Sequence, residues 1–317
     1  MRLRFACFCA ATGLAAYAQQ GKVAGPSAGY VFDPGSLSVR QVRGIAGAAT
    51  LGDGIDLGMG ILDAVISPRG DFAIATAADG SMHFFRLTDG AAAEISVPGT
   101  ASYADAVFSP KGTAAALYRA DGVQVLRGLP DAAEVAFTAP IRTELSRQPA
   151  STTRARLDTR GRTAVSDDAA VVLQSSKGAV EVMTAAGSRR LANPRGLAGI
   201  AFAPGNHDAA VVDSGTLSVY QDVTGAATRQ DFPHGPAASA VGFSVDGAKV
   251  AMAGQRMVTV LDRASGTTSQ ASCECLIGGL AGMGSMFRLN DPGDGPVWLV
   301  DVSGAEPKLV FVPARQM

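Results

Sequence analysis

The chain has 317 residues, with 27 Lys and Arg against 28 Asp and Glu, 38 Gly and one Trp. At 47% hydrophobic and 17% charged it is not a charge-rich disordered chain, and a net charge of −1 argues against a nucleic-acid binder relying on an overall basic field. A Gly-rich, charge-poor composition suits many short strands joined by tight turns.

Residues 1–18, MRLRFACFCAATGLAAYA, read as an export signal. Arg2 and Arg4 precede an apolar run from Phe5 to Ala16, and Ala16-Tyr17-Ala18 is an A-x-A cleavage pattern that leaves Gln19 first. The run is shorter than the roughly 20 residues of a membrane span. Arg4-Phe5-Ala6 ahead of Cys7 lacks the aliphatic residue of a lipoprotein signal. No later segment is apolar enough over enough length to span a membrane. A secreted or periplasmic location is therefore expected. Cleavage leaves 299 residues with 25 Lys and Arg against 28 Asp and Glu, a charge of −3, and only Cys273 and Cys275. Such a domain is not stapled by disulfides, so its stability must come from its core.

After the signal, one phrase recurs. An apolar strand ends in Ser-Pro-x-Gly or a relative, and a second apolar strand, a tight turn and an alternating strand follow. It starts at Asp63 (DAVISPRGDFAIATAADGSMHFFRL), Asp105 (DAVFSPKGTAAALYRADGVQVLRGL), Gly199 (GIAFAPGNHDAAVVDSGTLSVYQDVTG) and Ala240 (AVGFSVDGAKVAMAGQRMVTVLDRASG). A weaker copy, ARLDTRGRTAVSDDAAVVLQ, starts at Ala155. Gly70, Gly112, Gly161, Gly205 and Gly247 serve as its turn glycines, 42, 49, 44 and 42 residues apart, the longest step holding an insertion at 141–154. Pro ends each first strand because it cannot donate to a ladder, and Gly supplies the turn. Asp79-Gly80 and Asp121-Gly122 are hairpin signals. In VTVLD, Val258, Val260 and Asp262 point one way while Thr259 and Leu261 point the other.

Each repeat thus encodes about four short antiparallel strands, a sheet that cannot bury both faces alone. A closed ring of such sheets can. The first copy, from Ala28, starts partway through a repeat, and the last supplies only a final hairpin and strand. One blade built from both termini is therefore expected to close the ring. Dividing 299 by the period gives close to seven blades; counting Gly-anchored copies plus the C-terminal one gives six. The expected fold is an all-β propeller forming one domain over 19–317, with seven blades preferred and six left open.

At these residues, roughly 60–300, the chain resembles bacterial β-propellers with WD-repeat-like, TolB-like and YVTN-like repeats. The resemblance implies the fold and leaves the function open. The Trp-Asp dipeptide of WD repeats is absent, Trp298 lying in VWLVD, and no Gly-His pair precedes the repeats. Nor do the signature boxes of sialidase-type, quinoprotein or lactonase-type propellers occur.

Candidate site residues are few. His83, in the alternating strand MHFFRL, reads as a solvent-facing strand position. His207 lies beside Asp208 in a repeat hairpin, where acid–base or metal chemistry is conceivable, and His234 lies in a loop between repeats, where propellers bind ligands. Asp167-Asp168 and the DPGDG stretch from Asp291 read as turn chemistry, since neither matches a calcium loop. Cys273-Glu274-Cys275 allows a local disulfide, two thiols or part of a soft-metal site, though zinc would need two further ligands. Arg142, Arg147 and Arg154 in the insertion make a basic patch for an anionic glycan or a partner. No interleaved aromatics support nucleic-acid binding, and no cofactor motif is found. The expectation is a monomeric exported module that binds a protein or a glycan. The alternative is a hydrolase or lactonase with its site at the axial channel.

Overall fold

The computed structural model describes residues 26–45, 47–100, 105–118, 122–140, 162–176, 178–196, 199–213, 215–234, 238–293 and 295–314. Among these residues every regular element is a strand, and the strands form seven antiparallel sheets. Blade 1 has β1 (Ser27–Asp33), β2 (Ser38–Arg43) and β3 (Thr50–Gly54). Blade 2 has β4 (Ile61–Ile66), β5 (Phe72–Ala77), β6 (Met82–Thr88) and β7 (Ala91–Ile95), and blade 3 has β8 (Asp105–Phe108), β9 (Ala114–Tyr118), β10 (Val123–Arg127) and β11 (Glu134–Ala139). Blade 4 runs β12 (Thr163–Val165), β13 (Val172–Ser176), β14 (Ala179–Thr184), β15 (Gly187–Ala192). Blade 5 runs β16 (Gly199–Phe202), β17 (Ala209–Asp213), β18 (Thr216–Gln221), β19 (Thr228–Pro233). Blade 6 runs β20 (Ala240–Phe243), β21 (Lys249–Gly254), β22 (Met257–Asp262), β23 (Thr268–Ser272), and blade 7 β24 (Ala281–Met283), β25 (Met286–Arg288), β26 (Val297–Asp301), β27 (Lys308–Val312). The molecule is a seven-blade β-propeller.

Six blades are four-stranded meanders in chain order, and among the described residues blade 1 has three strands. The core lies between blades. In β22, Val258 and Val260 pack toward blade 7, while Leu261 packs toward blade 5. Strands second from the axis are therefore buried on both faces and read as apolar runs. In β9, Ala114, Ala115, Ala116 and Leu117 are all fully buried. Small side chains suit these positions because the blades converge toward the axis. At Gly242 a Cβ would come within 2.7 Å of the Phe287 ring, so the missing side chain leaves room for the next blade's aromatic.

Two expectations change in detail. Among the described residues each terminal part of the chain supplies its own sheet, and the two sheets close the ring by packing, with no strand shared between them. Val31, Val42 and Ala49 of blade 1 pack with Met283, Met286, Val297, Leu299 and Val312 of blade 7. Gly284 N in blade 7 also donates to Pro68 O in blade 2, 2.8 Å away, across the place where, among the described residues, blade 1 has no further inner strand. The second correction concerns the weak repeat. Its turn is Ser166–Ala169, not one centred on Gly161, which lies outside the described residues. Ala169 takes the left-handed φ of +60° that Gly112 takes at +68° in blade 3.

Candidate functional site

The first strand of each blade, or β1 in blade 1, contributes to the wall of an axial channel enclosing about 210 Å³. Its lining is apolar: Phe32, Ile66, Phe108, Phe202, Phe243 and Met283 alternate with Ala and Gly. Arg288 is the one charged side chain among the described lining residues, and it is paired with Asp291 at 3.0 Å. At one mouth the wall ends in Pro68, Pro110, Pro204 and Val245, of which Val245 is 62% exposed.

These four residues belong to the turns that join the first and second strands of their blades. Each turn is braced from below, in most blades by a buried serine. Ser166 Oγ donates to Asp168 Oδ1 at 2.6 Å and accepts from Val171 N at 3.0 Å. Ser244 does the same with Asp246 and Lys249 N, and Ser67 with Asp71 and Phe72 N. Ser109 accepts from Ala114 N. Burial pushes the Asp168 carboxyl up, but the Ser166 hydroxyl, the Ala170 amide and His207 outweigh it and hold it below the ordinary value. The Ser244 hydroxyl and the Ala248 amide hold Asp246 low in the same way.

The turns are then wired to one another. The Asp167 carboxylate accepts Lys111 N from blade 3 and Gly205 N from blade 5, both at 2.7 Å. Asp208 Oδ2 of blade 5 accepts Arg263 Nη2 of blade 6 at 2.7 Å. Lys249 Nζ of blade 6 donates to the Val302 carbonyl of blade 7 at 2.9 Å. Arg86 of blade 2 reaches Asp131 of blade 3, and Gly90 N of blade 2 donates to the Tyr30 hydroxyl of blade 1. With Gly284 and Pro68, this belt of polar contacts runs right round one face. It surrounds the apolar mouth with side chains that are already paired.

His207 and Asp208 sit on this face but do not act on each other. His207 Nε2 lies 3.0 Å from Asp168 Oδ2 in the preceding blade, while Asp208 turns to the following blade. His234 lies on the opposite face, half-buried, its amide donating to Gly215 O. Arg142, Arg147 and Arg154 lie outside the described residues. Cys273 and Cys275, in the loop leading from blade 6 to blade 7, are joined with Cα atoms 5.1 Å apart, and both are buried. No group of three or more metal-ligating side chains occurs among the described residues. Residue patterns alone missed the Asp167 bridge and the contacts of His83. Ser81 Oγ lies 2.8 Å from His83 Nε2, and Glu94 Oε1 lies 2.7 Å from Nδ1. The only sequence signal was the i, i+2 spacing of Ser81 and His83 at a hairpin.

No protein-family description and no curated protein matches the chain. Solved structures similar in fold include one described as a functionally unknown protein from Desulfotomaculum acetoxidans DSM 771. It shares 15% identity over 90% of this chain and 100% of that one, with a TM-score of 0.57. At that identity the likeness carries the propeller fold alone. No helix among the described residues is long and apolar enough to cross a membrane.

Proposed function

We propose that the protein is an exported propeller that binds another protein through the channel mouth formed by Pro68, Pro110, Pro204 and Val245. One observation carries the reading: an apolar mouth of three half-buried prolines and the exposed Val245 inside a belt of cross-braced turns. Apolar centre and polar rim match the anatomy of protein interfaces, and turns held in place before binding lose little entropy on docking. Among the described residues the rim offers no exposed aromatic platform for sugar stacking, so the reading favours a protein over a glycan. Export is supported by residues 1–18 and by the joined cysteines, which suit an oxidising compartment. A hydrolase at the axis would need a convergent set of acids, bases or metal ligands. Among the described residues that line the channel Arg288 is the one charged side chain, which does not supply that. The test is capture of a partner from an exported fraction by wild type, Val245→Asp and Gln270→Asp, the last on the outer strand β23. A partner held by wild type and Gln270→Asp but lost with Val245→Asp supports the proposal. Equal capture by all three overturns it.

A further inference from the structure

On the opposite face, at the hairpin between β5 and β6, three side chains stand in line. Ser81 precedes β6 and His83 lies two residues on, so both project from one face of the blade. Glu94 on β7 pairs with Phe85 and shares that face. The imidazole, 6.5 Å from the Phe85 ring, presents Nδ1 to Glu94 Oε1 at 2.7 Å and Nε2 to Ser81 Oγ at 2.8 Å. A carboxylate on Nδ1 fixes the tautomer that leaves Nε2 free to take the hydroxyl proton. Glu94 is exposed, and Ser81 and His83 are partly so, which lets a small solute reach the hydroxyl.

We propose that Ser81, His83 and Glu94 form an acyl-acceptor site for small activated esters. Ser81 Oγ bonds to the ester carbonyl carbon as its proton passes to His83 Nε2. The carbon–alkoxide bond then breaks, and the departing alcohol takes that proton. Water next attacks the acyl carbon, gives a proton to Nε2, and the Oγ–acyl bond breaks with Oγ reprotonated. Glu94 is the positioning residue. Asp79 tempers the site: its Oδ1 accepts both Ser81 N at 2.8 Å and the Ser81 hydroxyl at 2.5 Å, so the hydroxyl must turn from Asp79 before its proton can pass to His83. Gly80 N is bonded to Ala77 O, and Ser81 N to Asp79. Neither of these two amides is then spare to stabilise an oxyanion, a contribution worth about 10²–10³ in rate. The site is accordingly suited to activated esters and not to peptide bonds.

The experiment treats the full-length exported protein with a fluorophosphonate probe and locates adducts by peptide mass spectrometry, with p-nitrophenyl acetate hydrolysis followed in parallel. The expected result is an adduct on Ser81 that forms about a hundredfold more slowly in His83→Gln, the scale of a lost general base. It should form more slowly in Glu94→Gln and faster in Asp79→Asn, where the competing acceptor is weakened. All four positions are at the surface, and thermal midpoints close to wild type would show the variants folded. Ser81 unlabelled in both wild type and Asp79→Asn would overturn the proposal, as would a His83→Gln labelling rate equal to wild type.

Discussion

Ser166 uses one buried oxygen twice, donating to Asp168 and accepting from Val171 N. Replacing it with Ala leaves the amide buried without that acceptor and removes a donor from the carboxylate. The expected cost is about 1–3 kcal/mol, read as a lower urea midpoint at unchanged slope. Blade 5 holds Ala203 at this place and keeps only the backbone bond from Ala203 N to Asp208 O, so the serine strengthens a turn that the backbone already closes. Aspartates on the turns of this face set the acid limit. Asp168, Asp246 and Asp301 all lie below 3.8 in the folded chain, Asp301 through the Ser303 hydroxyl and amide. As pH falls the unfolded chain takes up those protons first, so their contribution is intact above about pH 4–5 and drains away as pH drops through the folded values. The thermal midpoint should change little between pH 7 and about 5 on this account and fall below about 4; a midpoint that rises from pH 5 to 3 would contradict it. The Ser-Pro-x-Gly signal was legible because Pro and Gly act locally. The partner of His207 was not, because Asp168 is in another blade and the pairing depends on how two turns meet.

At the scale of elements, the second strands were legible as apolar runs, and β22 alternates as its residues dictate. The fourth copy was mis-set because Gly161 offered a glycine at about the right spacing, while the turn itself uses Ala169 in a conformation that favours Gly. The loop after β23 carries Cys273 and Cys275. Spacing allowed a disulfide there without choosing it over two thiols. Purified protein should titrate no thiol from this pair until reductant is added, and two afterwards. Free thiols before reduction would leave the pair reduced. A bridge closing so small a loop contributes only about 1–2 kcal/mol in the loop-entropy account, so reduction should lower the thermal midpoint by only a few degrees.

At the scale of the whole molecule, period arithmetic pointed to seven blades, but the manner of closure was hidden. An N-terminal copy lacking its first strand suggested a shared blade. Instead β1 takes the inner position and packs against β24, with Met283 Cγ 2.9 Å from where a Gly29 Cβ would stand. Closure then rests on buried apolar side chains such as Leu299. Leu299→Ala should cost about 2–5 kcal/mol and raise hydrogen exchange in blades 1 and 7 before the others. Uniform loss across the ring would instead mean that the seam is no weaker than any other junction. The channel mouth was equally hidden, since Pro68, Pro110, Pro204 and Val245 come from four repeats and meet only once the ring is formed. The most direct test of the binding account is photo-crosslinking from that mouth in the native cell. A benzophenone side chain at position 245 should give a discrete adduct that the same group at position 270 does not. No adduct from 245, or the same adduct from both positions, would contradict the account.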